Sequence, residues 1–509
     1  MSYLLPILLS LAALAIGLLS LLGVFRKRRL NEPPLDMGTL PWLGHVLPFR
    51  RNTNEFLRAM QKKHGDIFTV QLGGHCITFL MDPLSFGSVV KESKTNLDFE
   101  HFAKQLVATV FNYHALENDN QLLKILSNKH LMGDGLTGLS KSMLKHLQNL
   151  MLSKVGQVAQ GEWQVAGLFE YSYNLLFRAG YLALFGVEAT DEQGEQSAKE
   201  ADIIGSEELF TQFRKYDQLF PILAYSIESP KQWLQAKRLK SFFWDLLSIK
   251  KMYTKVNISP WIEERQRQMD EYGVDHIMQN RYMFILLWAS QGNTGPSSFW
   301  LLLFLLKHPE ALRAVRAEVD QLVRESGQEP GTELNLGKLA KDIQLGLPTL
   351  DSAIDENLRL TTAPVLIRSV VKAMMLKMAD GREYALRKGD RLALFPYLSA
   401  HINPEIHPEP GTFRYDRFLN PDGTKKTLFY KGGQKVNYYN MPWGSGVSMC
   451  PGRFFAMNEL KQFIFLMLSL FDIELVNPDE EIPEIDCKRW GFGAMQPTRE
   501  VQFRYRFRF

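Results

Sequence analysis

Apolar and polar positions fall into distinct patterns along this chain, and each pattern predicts a different element. Ser2 to Val24 run SYLLPILLSLAALAIGLLSLLGV without one charged side chain. About 20 such residues, rising 1.5 Å each, match a bilayer core, so residues 1–25 are expected to form one transmembrane helix. Arg26, Lys27, Arg28 and Arg29 follow at once. Positive flanks stay cytoplasmic, which predicts a single-pass anchor with the rest of the chain in the cytosol. A cleaved leader is disfavoured: the basic cluster follows the apolar run, and no small-x-small site comes after it. Pro33, Pro34 and Pro41 make residues 26–45 an extended, stiff connector. Residues 46–509 are then the globular domain.

Within that domain, Ile67 to Leu72 and Cys76 to Met81 flank Gly73-Gly74, the pattern of a hairpin. Residues 85–360 are mostly helical in spacing. The stretch HPEALRAVRAEVDQLVRE is typical, with Pro309 at a helix start and apolar residues at 312, 315, 319 and 322. Residues 283–306, MFILLWASQGNTGPSSFWLLLFLL, are apolar at both ends and polar in the middle. A second membrane span is one reading. A long core helix bent at its polar centre by Pro296 fits better. Strand pattern returns at Gly389 to Phe395, and the terminal VQFRYRFRF alternates as an edge strand would. The expected fold is mainly α with small β-sheets, in a single large domain.

Composition narrows the chemistry. The 59 basic and 55 acidic residues give a net charge of +4, too little on 509 residues to suggest a nucleic-acid partner. The three cysteines, Cys76, Cys450 and Cys487, are far apart in sequence, which disfavours a disulfide framework or a zinc site. A cysteine with a special role therefore acts alone. Cys450 sits in WGSGVSMCPGRFF, where Gly444, Gly446 and Gly452 make a flexible loop ahead of an apolar helix. The dipole and amide N–H groups of that helix are expected to lower the thiol pKa and steady a thiolate. A buried structural Cys is the plainer reading of this residue alone. Glu356 and Arg359 lie three apart, on one helical face, and Arg417 in FRYDRF is a candidate to join them. Glu264 and Arg267 share that spacing and read as a solvated surface pair.

Taken in order, these segments resemble the haem-thiolate cytochrome P-450 family over the whole chain. The resemblance implies that Cys450 is the proximal ligand of haem b, in a loop from Trp443 through Gly446 to Gly452, and that Glu356, Arg359 and Arg417 form the family's structural motif. A thiolate on haem iron favours O–O cleavage. Two departures stand out: Trp443 replaces the usual Phe, and Ser448 replaces the usual Arg that pairs with a haem propionate. Arg368 is the expected replacement, with Lys129 and His130 as weaker candidates or simply a solvated face. On the distal side, Thr294 keeps the family's alcohol but Asn293 replaces its acid. Asn cannot supply a titrating proton, so it is expected to orient water. Alternatively, Thr294 only satisfies a backbone carbonyl at the Pro296 kink.

The segments LLWASQGNTGPSSFW, WGSGVSMCPGRFFA, EPPLDMGTLPWLGH and MDPLSFG are similar to a branch that hydroxylates sterols at carbon 12 in bile-acid synthesis. A second branch, of prostaglandin-endoperoxide isomerases, shares the QGN stretch but carries Met where this chain has Thr294, and lacks CPGRFF. A non-catalytic haem sensor is the third reading. The first reading implies a sterol pocket from Trp288, Ala289, Thr294, Pro364, Val365 and Phe492. It also implies electrons from NADPH by way of the membrane-bound NADPH–cytochrome P-450 reductase, with cytochrome b5 as a further donor, at the endoplasmic reticulum. Trp288 serves equally well as core packing. Lys425, Lys426, Lys431 and Lys435 are candidates for a basic patch facing the acidic reductase, or for a merely solvated loop.

Overall fold

The computed structural model describes residues 4–21, 26–114, 116–117, 119–155, 161–190, 194–330 and 334–508. Helices dominate and strands are short, as expected. Leu168–Phe185, Thr294–Lys307 and Arg453–Leu470 form the centre of the core, and nearly every residue of each is buried. Such all-round apolar sequences are stable as helices only when other helices cover them on all sides. Small residues let them approach closely. A Cβ on Gly180 would lie 2.4 Å from Gln291 Nε2, and one on Gly295 would overlap the Tyr173 ring.

The largest sheet has six strands, in the order Leu35–Asp36, Ile67–Leu72, His75–Leu80, Arg391–Leu394, Leu366–Val370 and Leu97–Asp98. Its hairpin turns at Gly73 and Gly74, both at positive φ, where L side chains are disfavoured. The connector is docked on this sheet. Leu35 and Asp36 pair in parallel with Thr69 and Val70, and the Arg26 and Glu32 side chains bond Asp390 and Arg387.

One expectation finds no support, and two are corrected. The apolar N-terminal helix is Leu4–Leu21, 18 residues. No helix among the described residues is long and apolar enough to cross a membrane. Residues 1–3 and 22–25 of the expected anchor lie outside the described residues. Second, residues 283–306 are not one bent helix. His276–Gln291 ends at Gly292, and Thr294–Lys307 begins after Asn293. Pro296 lies in the first turn of the second helix, where its missing N–H costs little. Third, Gln502–Phe507 is not an edge strand. It lies between Phe471–Leu475 and Gln164–Gly167, with Phe503 and Tyr505 buried and Arg504 held outside by Glu474.

Candidate functional site

The ligand loop is shaped by its backbone. Cys450 N donates to Trp443 O at 2.8 Å, closing the loop across its mouth. Gly444 and Gly446 both take positive φ, and a Cβ on Gly446 would lie 2.8 Å from Val90 O. Gly452 then starts the buried helix Arg453–Leu470. Burial pushes the Cys450 thiol up, against the N–H groups of Gly452 and Arg453 and the Arg453 charge, which act downward. The expected lowering of this pKa is therefore corrected. The helix terminus does favour the thiolate, but desolvation outweighs it in the protein alone.

A buried knot ties the helix Pro348–Thr361 to the segment 401–417. Glu356 and Arg359, both fully buried, pair through two bonds of 2.8 and 2.7 Å. Arg417 Nε donates to both Glu356 oxygens at 2.9 Å. The remaining guanidinium donors reach carbonyls of His401, Pro408, Pro410 and Thr412, so few donors in the knot are left over. His401 accepts from Met441 N and stays neutral. Burial and the nearby Arg359 charge hold its pKa down at about 3.

Arg368 provides the test of whether an anionic cofactor edge fits. It is buried on the strand Leu366–Val370 and bonds Ser448 Oγ and the Ile367 carbonyl, with the Phe99 ring 5.4 Å away. No carboxylate forms a salt bridge with it among the described residues. Burial pushes its pKa down to about 10, with only Asp98 acting upward from a distance. A buried cation touching the serine that replaces the family's arginine fits a haem propionate well. Lys129 and His130 do not share this state. Both bond Glu264, at 2.6 Å for each closest contact, and Lys129 is largely exposed. That also corrects the Glu264–Arg267 surface pair: Glu264 faces a different helix. The lysines are likewise partly committed, Lys425 to Asp355 at 2.7 Å and Lys431 to Asp82 at 3.7 Å.

The break in the central helix lies next to the loop that carries Phe492, whose ring joins an aromatic cluster with Phe220 and Trp288. Thr294 is buried, and its hydroxyl has no hydrogen-bond partner among the described residues. The plainer reading of Thr294, a backbone cap at the kink, does not hold. Ser297 Oγ caps the Asn293 carbonyl, and Ser298 Oγ caps Gly295. Asn293 Oδ1 accepts from Ala494 N at 2.9 Å, so that oxygen holds a loop. The same loop pairs with the strap carrying Pro364 and Val365 through Ala363–Gly493 and Val365–Gly491 bonds. Trp288 stacks on Phe220 at 4.1 Å, and Phe492 meets Phe220 edge-on at 5.4 Å. Ala289 is exposed, and the Trp288 Nε1 has no partner among the described residues. Phe111, Phe220 and Tyr225 complete the aromatic wall, at 5.7 Å from Trp288, 4.1 Å from Trp288 and 5.6 Å from Phe492. Sequence reasoning missed these three because their partners are distant in the chain.

The comparisons agree with this geometry. The family model described as Cytochrome P450 matches residues 33–503. The chain is 50% identical to the 5-beta-cholestane-3-alpha,7-alpha-diol 12-alpha-hydroxylase of Sus scrofa, over 99% of this chain and 98% of that protein. It is also 50% identical to the 7-alpha-hydroxycholest-4-en-3-one 12-alpha-hydroxylase of Homo sapiens, over 98% of both chains. Identity to the prostacyclin synthase of Homo sapiens is 44%, over 94% of this chain and 95% of that one. With its cysteine loop, buried Glu–Arg–Arg knot and family match along nearly all of its length, this chain belongs to the cytochrome P450 family.

Proposed function

We propose that the protein is a sterol 12α-hydroxylase acting on 7α-hydroxycholest-4-en-3-one or a close relative, in the formation of cholic-acid-type bile acids. The observation that carries this reading is the Thr294 hydroxyl, buried and unpartnered at a helix break beside the Trp288–Phe220–Phe492 wall. An isomerase, whose substrate brings its own O–O bond, has no use for a proton-donating alcohol there. The 50% identity to two 12α-hydroxylases, against 44% to a prostacyclin synthase, supports the same choice.

Cys450 would hold haem iron, and Arg368 with Ser448 would take a propionate. When bound, that haem supplies the activation of dioxygen. The chain does the rest. Thr294 holds and passes a proton through water. Asn293, tied to Ala494, keeps the helix break open at that point. Trp288, Phe220 and Phe492 lay flat aromatic surface against a rigid sterol, exclude water and set which carbon is presented. NADPH supplies electrons through its cytochrome P-450 reductase. The Leu4–Leu21 helix, with exposed Ile7, Leu9 and Leu14 and the basic residues 26–29 behind it, keeps the protein at the endoplasmic-reticulum membrane with its domain on the cytosolic side.

The experiment is product analysis after reconstitution with reductase. NADPH-dependent 12α-hydroxylation is the expected result. Conversion of a prostaglandin endoperoxide without NADPH, and no sterol product, would replace this reading with the isomerase. No turnover of either would favour a haem sensor.

A further inference from the structure

Asp217 lies on the long helix Glu195–Ala224, fully buried, and no motif points to it. Its Oδ1 accepts from Arg489 Nη2 at 2.9 Å, and its Oδ2 accepts from Gln496 Nε2 at 2.7 Å. Its backbone carbonyl accepts from Arg489 Nη1 at 3.0 Å. Arg214, one turn earlier, stands 3.5 Å from the same carboxylate and donates to Gln496 Oε1 at 3.3 Å. Arg489 and Gln496 bracket the short loop that carries Phe492.

The register is informative. Asp217 meets Arg489, and Phe220, three residues further along the helix, meets Phe492, three residues further along the loop. One polar pair and one aromatic pair thus dock loop on helix in parallel. The loop is also held from the opposite side. Ala494 N bonds Asn293 Oδ1, and Met495 O accepts from Trp300 Nε1 at 2.8 Å. The Arg214 guanidinium lies 4.7 Å over the Tyr173 ring, whose hydroxyl reaches the Gly292 carbonyl at the helix break. Phe492 therefore has its place fixed by buried bonds on both flanks. A buried ion pair is a poor source of net stability but a good source of fixed geometry.

We propose that Asp217, with Arg489 and Gln496, is a specificity-determining positioning latch that fixes Phe492 and Phe220 against Trp288 and so selects the carbon that is oxidised. This deepens the sterol-hydroxylase reading and rests on it. The latch residues do not touch substrate. They act through the aromatic wall, which shifts when either side of the latch is loosened.

The test compares the full-length holoprotein with Gln496→Met and Asp217→Asn. Gln496→Met removes one arm and leaves the Asp217–Arg489 pair intact, so it keeps the proposal testable if Asp217→Asn folds poorly. Three readouts are taken: the ratio of 12α product to other hydroxylated sterols, hydrogen peroxide released per product, and hydrogen exchange of residues 489–496. The latch predicts, in Gln496→Met at wild-type haem content, a fall of at least about threefold in that product ratio, more peroxide, and faster exchange confined to the loop. A lower melting temperature with an unchanged product ratio and unchanged loop exchange would overturn it, since that is what a purely structural ion pair gives. If wild type makes no 12α product, the functional reading has failed, and loop exchange alone then decides whether the latch exists.

Discussion

Replacing Arg368 by Met separates the two roles a buried arginine can have. The guanidinium is buried with Ser448 Oγ and the Ile367 carbonyl as its hydrogen-bond partners, and its pKa is pushed down to about 10. It stays protonated at pH 7, but its burial costs the ion roughly 3 kcal/mol. The bonds to Ser448 and Ile367 return roughly 1–2 kcal/mol. In the haem-free protein, Arg368→Met is therefore stabilising by about 1–2 kcal/mol. In the haem-loaded protein it removes a charge-assisted bond to a carboxylate, worth about 1.5–3 kcal/mol, or roughly a 10–150-fold loss of haem affinity. Transfer of haem to excess apomyoglobin measures the second effect, and thermal unfolding of the haem-free form measures the first. Adding Ser448→Arg to the variant should restore retention. Unchanged haem transfer would refute the propionate role, and strong destabilisation of the haem-free form would show Arg368 to be structural.

Thr294→Ala removes the unpartnered buried hydroxyl. Sterol hydroxylation should fall about 100-fold with peroxide release maintained, as loss of a positioned proton donor predicts, and unaltered coupling would contradict its role. Glu356→Gln strips the charge that two buried guanidinium groups share. Breaking such a pair costs about 3–5 kcal/mol against a typical total of 5–15, so little haem-loaded protein should accumulate; wild-type yield and carbon-monoxide spectrum would count against the knot. His401 and His407, mainly through burial, have pKa values held at about 3, and His146 at about 4. Their folded values lie below the unfolded one near 6.5, so the unfolded chain binds more protons between them. Stability is complete above about pH 6.5 and falls by up to about 1.4 kcal/mol per group per pH unit towards pH 4. Melting temperature measured from pH 7.5 to 4.5 should drop through that window, and a flat profile would disprove the assignment.

Features set by short spacings were legible in the chain. The Gly73-Gly74 hairpin, the Glu356–Arg359 pair and the glycine loop around Cys450 each depend on a few adjacent residues, and each takes the expected form. Arg417 joins the pair as the family resemblance implied. What was misread depends on partners far away. The central helix breaks at Gly292–Asn293, and Pro296 is tolerated because it falls within the first turn. The terminal strand is central because Gln164–Gly167, more than 300 residues earlier, covers its second side. Lys129 and His130 bond Glu264, and Asn293 bonds Ala494, through contacts that no spacing encodes. The Asp217 latch joins positions 272 and 279 residues apart. The Cys450 pKa depends on how much desolvation opposes the helix terminus, a balance settled only by packing.

The most direct test offers 7α-hydroxycholest-4-en-3-one to the purified protein with NADPH–cytochrome P-450 reductase, with and without NADPH, and locates any new oxygen by mass spectrometry and NMR. The expected result, if the protein hydroxylates carbon 12, is a single main product bearing a 12α-hydroxyl and formed only with NADPH. A product oxygenated elsewhere on the sterol, or turnover only of a prostaglandin endoperoxide without NADPH, would contradict hydroxylation at carbon 12.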